Sequence, residues 1–396
     1  MASDSWKVKP SSAEARALKM WTSVTMIISY SIGTGVLALP YSVAALGWHP
    51  FVGIFLMTLL GWCFSSYLYI GLHAAVPSAH NFAELAGVAY GFRGRLAASL
   101  CQSGFMLMFS IVFHLTATKS VMAILGETDN EKMLRWCFNV GLLLMILLQV
   151  QNLKWVGAMS IVGSFTIIMP CLLVVVYFIG HGPLEGATTR MFTSPSPAQL
   201  GMAVSNFVFA FAGQHIWIEL QSNCEDSTRK FPCAVRRATV CVVVLYGVMG
   251  AVGYSHVGEQ ALSSGDPVTL FVRDSVCRTL VNLMVLIHVI IGYVENSNLL
   301  IKNVLGSFVK LRPLCNDEEL QAPSQHRMTS VVEFDFHHWS SATLVCVSFT
   351  LGVAVAVPFF GDLCSISCAV CLVSLTYTFP LALALKLQPL TRLRYR

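Results

Sequence analysis

Charge is what this chain has least of. Asp, Glu, Lys and Arg make up 11% of its 396 residues, against 55% hydrophobic ones. A soluble domain covers its surface with charged groups, so this balance excludes one, and a mean hydropathy of +0.67 agrees. The motifs of common enzyme chemistry are missing too. There is no phosphate-cradling G-x-x-x-x-G-K-[ST] loop, no H-E-x-x-H pair and no G-x-S-x-G elbow. No other reaction-competent constellation replaces them, so an enzyme is not expected. Asn-x-Ser/Thr acceptors are absent as well. The first twenty residues are polar and lack the short apolar core of a cleavable signal. The 13 cysteines scatter mostly through apolar segments. Cys364, Cys368 and Cys371 sit in an apolar helical pattern, where cysteine is a small packing residue. No metal and no cofactor is expected. The basic residues Arg229, Lys230, Arg236 and Arg237 read as an orientation signal, and no nucleic-acid partner is expected.

What is present is a series of ten apolar segments, at about residues 21–47, 51–76, 96–125, 134–150, 155–179, 200–220, 234–257, 278–305, 340–360 and 363–385. Each has roughly the twenty residues a helix needs to cross hydrocarbon. The expected class is an all-α polytopic membrane protein. Residues 1–20 form a cytoplasmic N-terminal tail, 21–386 the transmembrane domain and 387–396 a cytoplasmic C-terminal tail. Residues 77–95 read as a polar loop, Lys154 marks a tight one between the fourth and fifth segments, and 310–338 is the longest polar segment. With both ends in the cytoplasm, 19 of the 25 Lys and Arg fall on inner segments and five on outer ones. That is the bias cytoplasmic loops show.

Two segments are interrupted. The first carries Gly33, Thr34 and Gly35 at mid-depth and Pro40 beyond them. Each glycine costs about 1 kcal/mol of helix propensity relative to alanine, and a plain anchor has no use for that. Two readings stand side by side. Small residues let helices pack closely. Alternatively the backbone breaks here, offering free N–H groups to a carboxylate and free carbonyls to a cation. The sixth segment repeats the feature with Phe209, Phe211, Ala212 and Gly213, followed by Gln214, His215 and Glu219. Breaks in the first and sixth of ten spans divide the chain into two five-helix repeats. An odd number of spans inverts the second repeat, a pattern that points to a secondary transporter with its site at the midplane.

These residues resemble a known family. Gly33-Thr34-Gly35-Val36-Leu37-Ala38-Leu39-Pro40-Tyr41, closed by Leu46-Gly47-Trp48, is similar to the first-helix signature of the amino acid/auxin permeases. Phe209 to Gln214 with Glu219-Leu220-Gln221, Ile287-His288-Val289-Ile290 with Tyr293, and Pro358 to Asp362 match further family patterns. The resemblance spans residues 21–385 and implies a leucine-transporter-like fold and ion-coupled movement of amino acids by alternating access. It also implies an eleventh span, where the sequence shows ten; both five-span repeats are complete without it. It places the substrate carboxylate at the N–H groups of Gly33, Thr34 and Gly35, with Thr34 capping the half-helix that begins there. The amine falls near carbonyls around Ser29 to Ser31 and Phe209 to Ala212. The substrate side chain falls toward Phe209, Phe211 and residues of the third and eighth helices.

Ionisable groups at membrane depth are functional candidates, and His215, Glu219, His288 and Glu295 are four of them. Histidine suits a proton, while a carboxylate suits a proton or sodium. Beside this stands an ordinary reading: an interhelical hydrogen bond for each histidine, a gate or a salt bridge with Lys154 for Glu219, and contact with inner-side water for Glu295. His114 and Lys119 in the third segment are weaker candidates, snorkelling accounting for Lys119. The expected function is proton-coupled symport of small neutral amino acids across a plasma, vacuolar or endosomal membrane. Sodium coupling in the same fold stands beside it, as does an amino-acid sensor signalling through residues 310–338. The lipid bilayer and the substrate are the expected partners, with no obligate protein partner.

Overall fold

The structure is a computed structural model that describes residues 8–10, 19–127, 129, 132–151, 156–264, 268–311, 330–332, 334–357 and 360–394. Each of the ten expected segments is helical among these residues. The first is α1 (Met20–Ser31), a 3₁₀ turn (Thr34–Ala38) and α2 (Leu39–Leu46). The next four are α3 (Trp48–Ala75), α4 (Phe82–Leu125), α5 (Met133–Leu147) and α6 (Val156–His181). The sixth is α7 (Pro197–Ala210), a 3₁₀ turn (Gln214–Ile216) and α8 (Trp217–Asn223). Then come α9 (Lys230–Val257), the single turn α10 (Ala261–Ser264), α11 (Ser275–Leu311) and α12 (Phe336–Ala356). The last span runs from α13 (Phe360–Ser367) through π-helical turns to α14 (Phe379–Arg394).

Six helices are long and apolar enough to cross a membrane singly, and the pair Met20–Ser31 and Gly35–Leu46, bent by 45°, makes a seventh. The remaining three spans fall short of that measure. α5 has 15 residues, the sixth span is split in two, and the tenth passes through π turns. The outward faces support the membrane assignment. Leu56, Leu60, Phe64 and Tyr67 on α3, and Ile161, Phe165, Val176 and Ile179 on α6, are exposed apolar rows. Such rows suit hydrocarbon.

Packing partners repeat with an offset of five spans, as an inverted repeat requires. The fifth span packs on the first (α6 on α1) and the tenth on the sixth (α13 on α7). The seventh packs on the first (α9 on α1 and α2), and the second on the sixth (α3 on α7 and α8). The eighth meets the fifth (α11 on α6), and the third meets the tenth (α4 on α13). The fold is all-α in its membrane part, with the five-plus-five plan read from the sequence.

Three boundaries differ from expectation. Residues 82–95 are helical rather than loop, because Asn81 caps α4 through the Glu84 N–H (2.7 Å) while Glu84 reaches back to the His80 N–H (3.0 Å). Gly91, at φ 63°, then breaks α4 before its apolar part. The last helix continues through residue 394, so most of the expected C-terminal tail is helix. A short antiparallel pairing of β1 (Val8–Pro10) with β2 (Ser330–Val332) joins the N-terminal tail to the long polar segment. The tight loop at Lys154 lies outside the described residues.

Chain signals account for the local geometry. Ser196 and Gln199 form a reciprocal capping box at α7, with Pro197 in its first turn. Gly47 turns the chain between α2 and α3 at φ 81°, where a Cβ would stand 2.8 Å from the Met191 carbonyl oxygen.

Candidate functional site

The first break is a true interruption. Helix α1 ends at Ser31, Ile32 and Gly33 leave helical geometry, and the chain resumes as a 3₁₀ turn at Thr34. The leading N–H groups of a new helical segment lack intrahelical partners, and the last carbonyls of the old one are equally free. In the sixth span, α7 ends at Ala210, Gly213 takes φ 125°, and the chain resumes at Gln214. Only glycine adopts that conformation without strain.

The two breaks touch. A Cβ on Gly35 would lie 3.0 Å from the Ala210 Cα, and one on Gly213 would lie 2.8 Å from the Ser31 Oγ. The glycines do pack closely, and the backbone is broken at both places.

Between them lies a small cavity. It is lined by Ser31, Gly33, Gly35, Ala212 and Gly213 of the two breaks and by the rings of Tyr30, Phe105, Phe109, Phe209 and His215. None of these residues carries a carboxylate, ammonium or guanidinium. The free space is about 10 Å³, room for a single water. That is far less than an amino acid occupies. Phe105 and Phe109 stack 5.4 Å apart, and Phe209 meets Phe109 edge-on at 5.5 Å. Two buried polar atoms in the lining have no hydrogen-bond partner, Ser31 Oγ and His215 Nδ1. Such atoms are rare in folded interiors, and each is a ready contact for a polar ligand.

Most of the expected substrate residues gather here, with corrections. Ser31, Gly33, Gly35, Phe209, Ala212 and Gly213 line the cavity. Phe211 turns away, its ring packing against Phe55, Trp62 and Tyr246 at 5.2 to 6.1 Å. Ser29 also faces elsewhere, its Oγ 2.6 Å from where a Cβ on Gly163 would stand. Thr34 opens the 3₁₀ turn, but the N-cap position is Gly33, which has no side chain to cap with; the side chain of Thr34 is outside the described set. Among the described residues none from the eighth helix lines the cavity, while the third helix, also expected, supplies Phe105 and Phe109. Those two and Tyr30 went unnamed at the sequence level. Their aromatic spacing of four on one helix face was the available signal, but it does not distinguish a site wall from core.

The ion-coupling candidates separate. His215 lies in the cavity wall, with its ring 4.7 Å from that of Phe105. Glu219 sits one turn further along the sixth span, outside the lining. Gln102 Nε2 donates to Glu219 Oε1 (3.1 Å) and to the His215 carbonyl (3.2 Å), while Glu219 Oε2 is buried without a partner. His288 donates from Nδ1 to the Gly163 carbonyl (2.9 Å), tying α11 to α6, and its buried Nε2 has no partner. Glu295 is buried on α11 with Oε1 unpartnered. The proposed salt-bridge partner of Glu219, Lys154, is outside the described residues. His114 has both nitrogens engaged, with Thr350 Oγ1 at 3.1 Å and the Cys137 carbonyl at 3.0 Å, and is a packing residue.

A family profile described as "Transmembrane amino acid transporter protein" matches residues 16–394. Lysine histidine transporter-like 6 of Arabidopsis thaliana is 25% identical over 370 residues, 88% of this chain and 78% of that protein. Amino acid permease 8 of the same plant is 24% identical over 410 residues, 93% and 84% of the two chains. Among solved structures, Mhp1, a nucleobase-cation-symport-1 family transporter in a closed conformation with bromovinylhydantoin bound, superposes with a TM-score of 0.56. That match covers 90% of this chain and 75% of the other at 14% identity, and it concerns the fold, which is leucine-transporter-like.

Proposed function

Because the chain belongs to the transmembrane amino acid transporter family, we propose that this multi-pass membrane protein carries small neutral amino acids by alternating access, coupled to protons. One observation carries the reading. Two broken helices meet at a small cavity lined by the small residues of both breaks and by aromatic side chains, with no carboxylate, ammonium or guanidinium among them.

The parts fit an amino acid. The N–H groups at the start of the resumed first helix, at its positive dipole end, suit the carboxylate. The carbonyl ends of α1 and α7 suit the amine. Walls of Tyr30, Phe105, Phe109 and Phe209 suit a neutral side chain, since a charged one buried there without a partner would be costly.

Proton coupling rests on His215, Glu219, His288 and Glu295. Each has a buried side-chain atom without a partner, a place where a proton can be taken up or released. His288 supports this most directly. With Nδ1–H donated to Gly163, a neutral ring leaves Nε2 as a vacant acceptor. The plasma membrane and a vacuolar or endosomal membrane are both suitable settings.

The test is uptake of labelled amino acids into proteoliposomes under an imposed proton gradient and, separately, a sodium gradient. Concentrative uptake driven by protons alone is expected. Drive by sodium alone would transfer the coupling role to carbonyls and hydroxyls. Saturable binding without flux under either gradient would make the protein a sensor.

A further inference from the structure

Tyr246, on α9, is fully buried and belongs to neither broken helix. Its hydroxyl lies 2.6 Å from the carbonyl oxygen of Ser31 and 2.7 Å from that of Ala210. Those are the final residues of α1 and α7, so one hydroxyl touches the last carbonyl of each half-helix. A phenol has one proton, and neither carbonyl can donate one back, so both bonds share a single donor. The two helix ends are also the negative ends of their dipoles, and they repel when brought together. The shared O–H presents its positive end between them.

We propose that Tyr246 is the positioning residue for the ammonium end of the site: by holding the Ser31 and Ala210 carbonyls on one hydroxyl, it keeps two negative helix ends aimed at one small cation, the substrate's amine. The inference rests on the amino-acid reading above and deepens it. In the last turns of α1 and α7 the carbonyls of Ile28, Phe207 and Phe209 accept the N–H groups of Ile32, Phe211 and Ala212, and Tyr246 takes those of Ser31 and Ala210, which leaves the carbonyls of Ser29, Tyr30 and Val208 to meet the ligand. Tyr246 lies outside the cavity lining and acts through the backbone it fixes. Its ring is held independently, edge-on to Phe211 at 5.2 Å, so removing the hydroxyl leaves the packing in place.

The test compares two competitors for binding of labelled alanine by the full chain in proteoliposomes. One is unlabelled alanine; the other is propionate, which keeps the carboxylate and methyl group and lacks the amine. In Tyr246→Phe, alanine affinity is expected to fall by at least about tenfold while propionate affinity holds, so that discrimination between them collapses. A merely structural role would weaken both together, and that result, or no change in either, overturns the proposal. If Tyr246→Phe does not reach the membrane, fluorotyrosine at position 246 keeps the shape and makes the hydroxyl a stronger donor. A changed alanine-to-propionate ratio then supports the proposal, and an unchanged ratio overturns it. If the unaltered protein binds neither alanine nor any other amino acid, the transport reading itself fails and takes this inference with it, a result read from the wild type alone.

Discussion

Gly35 and Ala210 are in backbone contact across the two broken helices: a Cβ on Gly35 would stand 3.0 Å from the Ala210 Cα and 2.9 Å from the Phe209 ring. Backbone cannot retreat as a flexible side chain can. Gly35→Ala is therefore expected to push the breaks apart, at an overpacking cost of about 1–3 kcal/mol. Gly35→Val should abolish substrate binding. Equilibrium binding of a labelled amino acid, with melting of the purified protein as the folding control, reads both; unchanged affinity would remove the first helix from the site.

The aromatic wall sets the size of what fits. Phe109 stands over Gly33, its Cζ 3.5 Å from where a Cβ on that glycine would lie. Phe109→Ala should open the cavity toward larger apolar side chains. Leucine is expected to gain on alanine in competition by roughly 10–200-fold, the scale on which apolar pockets discriminate by size. An unaltered alanine-to-leucine ratio would move the substrate side chain elsewhere.

Glu219 offers one oxygen to Gln102 and keeps the other unpartnered. If it carries the coupled proton, Glu219→Gln abolishes concentrative uptake driven by a pH gradient while exchange of substrate across the membrane continues. Loss of both together would make the carboxylate structural. His288→Asn is the parallel variant on α11, because an amide retains a donor for the Gly163 carbonyl but cannot be protonated.

The segment between α6 and α7 straps the ends of several spans. Trp48 and His49 donate backbone N–H groups to the carbonyls of Arg190 and Met191, and Arg190 pairs with Glu259 at 2.7 Å. That ion pair is largely exposed, so Glu259→Gln should change stability by less than about 1 kcal/mol. Gly258 differs. It holds φ 63°, and a Cβ there would lie 2.5 Å from the Thr188 carbonyl oxygen. Gly258→Ala should cost about 1–3 kcal/mol for the backbone conformation alone, since φ 63° with ψ −148° is populated essentially by glycine. Thermal melting in detergent separates the two variants, and equal shifts would mean the strap does not anchor at Gly258.

Composition and the lengths of the apolar runs already determined that the chain is a helical membrane protein, and the positions of its two breaks pointed to two five-span repeats. The scarcity of charge excludes a soluble surface, and each apolar run has the length of hydrocarbon. Gly33, Gly35, Ala212 and Gly213 marked both breaks, because glycine and small residues at mid-span weaken a helix locally and leave a trace in the sequence. What the linear pattern could not decide was direction. Phe209 and Phe211 are two residues apart at the end of one helix, and only packing sends one ring into the cavity and the other onto Trp62 and Tyr246. Phe105 and Phe109 look like any apolar stripe until the third span is set beside the breaks. Tyr246 reads as one more aromatic in a membrane helix. Its meaning comes from α9 lying across the ends of α1 and α7, which brings Ser31 and Ala210, far apart in the chain, onto one hydroxyl. Hydropathy is local and survives in one dimension; which carbonyls share a proton depends on three helices meeting at a point, and that is a property of the tertiary structure alone.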